Sequence, residues 1–284
     1  MVLLAGTGLR LARPWFWPLG WGGAFLGSVL ASSEGSAGGG AVLAVRAGLL
    51  ALLLGPLVWM AVLAQNDLYD LPTDLRNPRK ATAPLVTGAV SPAVLRRWHR
   101  GSAAVTVLVA AALGPVFLAG AVLVLGLGWA YSAPPLRLKG RPGADVAVNA
   151  LVVGVLAPAA GWALLRPVTA YPMVWIVLGF LLAAALYLPT TVLDAPADRA
   201  AGLITSAVRW GSERCYLAGL AMWTGATALW LGHLGWEGLV QQVAAPGVVI
   251  GYAVLAHRPT IARMAGVVAI FAVPAGDFLL SITR

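Results

Sequence analysis

Residues 41–74 read AVLAVRAGLLALLLGPLVWMAVLAQNDLYDLPTD. From 41 to 64 the only charge is Arg46. A helix of about 20 apolar residues crosses the hydrocarbon core of a bilayer, and this run is long enough to do so. It ends in Asn66, Asp67, Asp70 and Asp74. The three acids are spaced i, i+3, i+7, which places them on one helical face. A second stretch follows the same plan: an apolar run from 172 to 190 leads to Asp194 and Asp198, spaced i, i+4.

The rest of the chain fits around these two stretches. It has 284 residues, of which 60% are hydrophobic and 10% charged. Soluble domains carry roughly 25% charged residues, so the composition describes an all-α integral membrane protein. Apolar stretches at 15–31, 41–64, 102–117, 119–131, 144–163, 172–190, 214–233, 239–256 and 264–281 predict about nine spans in one domain, 1–284. The break between the third and fourth rests on Pro115 and the small residues around it. With the N-terminus in the cytoplasm, only Arg46, Arg166 and Arg284 of the 19 Lys and Arg fall outside the cytoplasmic segments. That bias orients a multi-pass protein of the cell membrane. It also accounts for the net +9 without a nucleic-acid partner.

Seven of the ten acids lie on the same side, all but Glu34, Glu237 and Asp277. The positive-inside bias does not call for them. Like charges on one helical face repel, and at a membrane boundary they also lose solvation. A divalent cation removes both penalties, and carboxylates with water and phosphate oxygens are the ligands Mg2+ prefers. Two such groups on one side, with the basic loop Tyr131-Ser-Ala-Pro134-Pro135-Leu-Arg137-Leu-Lys139-Gly-Arg141 between them, point to a diphosphate. If that loop is extended, as its two prolines favour, Arg137, Lys139 and Arg141 project to one side. Other chemistries find no support. Cys215 is the only cysteine, so a disulfide framework is excluded. No HExxH, GxxxxGK[ST] or GxSxG pattern occurs.

In combination these segments resemble the UbiA superfamily of intramembrane prenyltransferases. NDxxDxxxD is met by Asn66, Asp67, Asp70 and Asp74, and DxxxD by Asp194 and Asp198. DRAAGLITSAVRWG (198–211) looks like the usual continuation of the second motif. YSAPPLRLKGR (131–141) looks like the family's tyrosine-and-basic loop, and NPRKATAPLVTG (77–88) like the stretch after its first motif. Asn149 and the Arg13-Pro14 pair match further positions. The resemblance covers about residues 10–215.

It implies nine helices around a central cavity, capped by polar cytoplasmic loops after helices 2 and 6. It implies an isoprenyl diphosphate substrate, a lipophilic acceptor and Mg2+. Asp67, Asp70, Asp74, Asp194 and Asp198 would ligate metal. Arg137, Lys139 and Arg141 would hold the diphosphate, with Arg79, Lys80, Arg13, Asn66, Tyr131 and Asn149 lining the substrate. Asp67, Asp70, Asp194, Asp198, Arg137 and Lys139 form the catalytic set. A terpene cyclase of the same superfamily is the alternative, because ionisation of the diphosphate needs the same residues. NPRK after the first motif is similar to carotenoid-elongating members.

Four finer expectations bear on the structure. Pro72 and Pro196 lie inside the acidic groups, and proline disrupts a helix interior, so helix restarts are expected there with Asp70 or Asp194 as caps. Asp145 is expected to pair with Arg141 or Arg137. His99, beside Arg96, Arg97 and Arg100, is expected to face lipid headgroups. Asp277 is an acid inside the last span, where ionisable groups are costly and often functional.

Overall fold

A computed structural model describes residues 11–33, 40–234 and 239–282. These residues are helical and contain no strand. After a 3-10 turn at Pro14–Phe16 come α1 (Trp17–Ser33), α2 (Gly40–Asp74), α3 (Pro92–Leu113), α4 (Pro115–Ser132) and α5 (Ala144–Trp162). Then follow α6 (Met173–Ala200), the short α7 (Ser206–Trp210), α8 (Ser212–Leu234), α9 (Leu239–Ala256) and α10 (Ile261–Ile282). By length and composition, α2, α4, α5, α6 and α10 suffice to cross a membrane. Arg10, Arg284, Glu34 and Glu237 lie outside the described residues.

Local chemistry sets the helix ends. Gly114 takes a φ of +128°, closed to most side chains, and Pro115 opens the next helix, so α3 and α4 separate there. The α3 helix starts about ten residues before its apolar run, because Ser91 caps it (its Oγ accepts from Val94 N at 3.3 Å) and Pro92 suits the first turn. Arg96, Arg97, His99 and Arg100 therefore stand on a helix rather than in a loop. The expected restarts at Pro72 and Pro196 do not occur. The α2 helix continues through Pro72 to Asp74, and α6 through Pro196 to Ala200. Both prolines sit in the last two turns, and each helix continues past the one N–H bond its proline forgoes. The break in α2 falls instead at Gly55 (φ −94°, ψ −110°) and Pro56, inside a π-helical segment at Leu53–Leu57. Trp21 packs on Gly55 and its indole N–H donates to Ala51 O at 2.8 Å.

The described residues form two compact units, 11–28, 40–138 and 156–169 in the first and 29–33, 139–155, 170–234 and 239–282 in the second. In the first, Leu50 and Leu53 of α2, Ala110 and Leu113 of α3, Phe117 and Ala121 of α4 and Leu164 make one core. Arg46, the lone charge of the apolar run, donates to Leu113 O at 3.4 Å and lies over the Phe117 ring. A second cluster joins Leu11, Ala64, Leu85, Val90 and Leu95 beneath the end of α2. In the second unit, Trp223, Tyr252, Val248 and Val267 pack at the centre, and the Tyr252 hydroxyl donates to Ala185 O at 2.7 Å. Asp277 has a local partner, accepting from Gln241 Nε2 at 3.0 Å.

Close helix approach depends on glycine, as in other membrane bundles. A Cβ on Gly161 would stand 1.8 Å from Ala24 O, and one on Gly27 1.8 Å from Pro158 O. Gly154 and Gly179 meet in the same way in the second unit. Gly161→Ala is therefore expected to push α1 and α5 apart and to destabilise by about 1–3 kcal/mol. Thermal unfolding in detergent checks this. An unchanged midpoint would mean that the contact contributes nothing.

Candidate functional site

The first acidic group lies in the first unit, on the last three turns of α2. Each carboxylate meets a cation from a different segment. Asp67 Oδ1 accepts from Arg13 Nη2 at 2.6 Å, with the Asp67 side chain only 9% exposed. Asp70 Oδ1 is 3.9 Å from Arg137 Nη2, and Asp74 Oδ2 is 3.7 Å from Lys80 Nζ. Asn66 Oδ1 accepts from Ser132 Oγ at 3.1 Å, one residue beyond Tyr131, which is half-buried. The 3-10 turn at Pro78–Lys80 places Lys80. The side chain of Arg79 lies outside the described residues.

Two of these cations sit on unusual backbone. Arg13 has φ +46° and Arg137 φ +37°, the left-handed region that non-glycine residues avoid. Such conformations cost of order 1–3 kcal/mol and collect at functional sites. Arg137 also carries a buried Nε with no hydrogen-bond partner. A desolvated guanidinium N–H of this kind fits an anionic oxygen.

The second acidic group lies in the second unit, at the end of α6. Asp194 is exposed and Asp198 half-buried. The helix closes with Leu203 N donating to Asp198 O at 2.8 Å across Gly202, whose φ is +70°. That turn returns the chain, so that Thr205 Oγ1 donates to Asp198 Oδ2 at 3.2 Å. Ser206 then meets the fully buried Asp145: its N–H donates to Oδ2 at 2.8 Å and its hydroxyl to Oδ1. Gly143 N in turn donates to Ser206 Oγ at 2.8 Å. Asp145 thus pairs with Ser206, not with Arg141 or Arg137. A buried carboxylate near a helix N-terminus is satisfied by backbone and hydroxyl donors and by the helix dipole, without a cation.

The basic loop is not extended. Leu138–Gly140 forms a 3-10 turn directly after the left-handed Arg137, so alternate residues do not share a side. Arg137 belongs to the first unit, Lys139 and Arg141 to the second. Lys139 is buried at 5% exposure and Arg141 is exposed. Asn149 spends its amide N–H on its own helix, donating to Asp145 O at 2.9 Å.

Ser132 and Ser206 were not among the residues expected to shape the site, and Thr205 was expected only as part of the DRAAGLITSAVRWG continuation, without a role. The Thr205-Ser206 pair at a helix start was the one available signal; the partners lie too far along the chain to read.

The donors fit Mg2+ by type. They are carboxylate oxygens, and Mg2+ keeps water and phosphate oxygens in most of its shell. Among the described residues no three His, Cys, Asp or Glu side chains stand close enough to enclose an ion by themselves, so such a site would be completed by substrate and water.

Residues 16–272 match the UbiA prenyltransferase family. The chain is 31% identical over 260 residues to the lycopene elongase/hydratase of Haloarcula japonica, covering 87% of this chain and 81% of that protein. Its fold is similar to that of a UbiA homologue from Archaeoglobus fulgidus solved with DMAPP and Mg2+, at a TM-score of 0.70 and 26% identity over 97% of this chain and 99% of that one. A UbiA homologue from Aeropyrum pernix K1 gives a TM-score of 0.72 at 22% identity, over 94% and 99% of the two chains.

Proposed function

The chain belongs to the UbiA prenyltransferase family, and from that premise we propose that it is a Mg2+-dependent intramembrane prenyltransferase. Its donor would be a short isoprenyl diphosphate and its acceptor an acyclic carotenoid of the lycopene type. The observation that carries the diphosphate chemistry is the first acidic group, three carboxylates on one helix end, each met by a cation from another segment. The carotenoid acceptor is supported by the Haloarcula japonica relative and by the NPRK stretch at 77–80.

Asp67, Asp70, Asp74, Asp194 and Asp198 would hold Mg2+, which when bound neutralises charge on the leaving diphosphate. Arg137 offers its unpaired Nε to a diphosphate oxygen. Lys139, buried at 5% exposure, adds a point charge that water screens little. Arg13 and Lys80 neutralise the acids before substrate arrives and hold them in register. The allylic C–O bond breaks with its electron pair on the diphosphate. A terminal double bond of the acceptor supplies the pair for the new C–C bond, and the resulting cation loses a proton or takes hydroxide from water.

The test uses purified protein in liposomes with radiolabelled DMAPP, lycopene and Mg2+. Label is expected in a product heavier than lycopene, and EDTA is expected to prevent it. With radiolabelled geranylgeranyl diphosphate in place of DMAPP and no lycopene, a cyclic labelled product would instead identify a cyclase. Diphosphate release that does not depend on Mg2+ would overturn the metal assignment.

A further inference from the structure

The turn after α6 puts a threonine to an unusual use. Thr205 is the N-cap residue of α7, with φ −77° and ψ 171°. A threonine hydroxyl in that place ordinarily accepts from a backbone N–H of the first helical turn. Here it makes no cap bond and instead donates to Asp198 Oδ2 at 3.2 Å. The helix start is served from elsewhere. Asp145, fully buried at the start of α5, accepts from the N–H of Ser206, the first residue of α7. With Asp145 taking part of the capping role, the Thr205 hydroxyl is turned to a carboxylate.

The surroundings hold Asp198 still. It is half-buried in the last turn of α6, and its backbone carbonyl accepts from Leu203 N at 2.8 Å. Thr205 fixes the side-chain end of the same residue. Thr205 is 6% exposed and β-branched, so its χ1 has little freedom. Gly202, at φ +70°, makes the turn that brings Thr205 back to Asp198. A hydroxyl orients a carboxylate without neutralising it, which a cation would do. Partners of this kind hold metal-binding carboxylates in place for the ion.

We propose that Thr205 is a positioning residue for Mg2+: its hydroxyl holds the Asp198 carboxylate in one orientation, so that the cation meets a ligand already set. This role rests on Asp198 being a metal ligand, as proposed above. Thr205 acts through Asp198 and not on the substrate.

The test is equilibrium dialysis of the full chain in neutral detergent. The probe is radiolabelled geranyl S-thiolodiphosphate, a diphosphate analogue that ionises slowly, across a Mg2+ series. The readout is the Mg2+ concentration for half-maximal retention of the analogue, which needs no turnover. Thr205→Val keeps the shape and removes the donor. It is expected to raise that concentration about tenfold, the lower end of the usual cost of removing an outer partner of a metal ligand. Thr205→Ser restores the donor and is expected to stay near the parent. Thr205→Cys, with only a weak S–H donor, is expected to fall between them, and it stands in for valine if the valine protein does not fold. Thermal unfolding is the control. A threonine that only ties the turn would give Thr205→Val a lower midpoint and an unchanged Mg2+ requirement, and that result would overturn the proposal. So would an equal shift in Thr205→Ser. Asp198→Asn separates this role from the reading beneath it. If retention by the parent does not depend on Mg2+, or if Asp198→Asn matches the parent, Asp198 is no ligand and both fall. If Asp198→Asn loses the Mg2+ response while Thr205→Val keeps that of the parent, only the role of Thr205 falls.

Discussion

Asp67→Asn is expected to lower turnover by about 10²–10³-fold, the usual cost of removing one preorganised charge from a transition state, while the protein still inserts and folds. Asp67 is the most enclosed of the first group, 9% exposed and bonded to Arg13 at 2.6 Å. Asparagine keeps its shape and can still accept from Arg13, so packing survives. The negative charge is lost, and with it a ligand for Mg2+. The Mg2+ concentration for half-maximal rate should therefore rise along with the fall in kcat. Labelled-product assays across a Mg2+ series, with thermal unfolding as the folding control, decide the matter. Full activity in a folded Asp67→Asn protein would remove Asp67 from the site. Arg13→Gln serves as the comparison. It also breaks the pair but leaves the carboxylate, so its effect should be smaller and should not raise the Mg2+ requirement.

Asp145→Ala is expected to be the most destabilising substitution in the second unit. The carboxylate is fully buried and accepts from both the N–H and the hydroxyl of Ser206. Its removal orphans two buried donors, at about 1–3 kcal/mol each. Ser206→Ala should cost less in itself, because the Ser206 N–H bond survives, although Gly143 N loses its acceptor. The double variant should fall short of the sum, since both changes break one network. Thermal unfolding in detergent measures all three. An Asp145→Ala protein as stable as the parent would mean that the buried network contributes nothing. The network also has a functional side. It joins the segment bearing Lys139 and Arg141 to the segment that follows Asp198. In variants that still fold, the KM for the diphosphate should rise more than kcat falls.

The two acidic groups were legible because each is local. Asp67, Asp70 and Asp74 fall within eight residues of one helix, and Asp194 and Asp198 within five. Helical periodicity alone puts such residues on one face. The prolines misled for a related reason. A proline costs one N–H bond and crowds the turn before it, a local penalty that α2 and α6 absorb without breaking. The start of α3 was misplaced because apolarity marks the membrane-facing part of a helix and not its capped, polar end at Ser91.

Helical class and membrane character, together with the acid-bearing helix ends, follow from composition and short-range order, which the sequence carries by itself. The partners do not. Arg13 meets Asp67 across 54 residues, and Ser206 meets Asp145 across 61. Such pairings depend on which helices pack together, and many combinations of charges satisfy the same sequence. Only the packed chain turned Arg137 into the left-handed region beside Asp70 and gave Asp145 a hydroxyl instead of a cation.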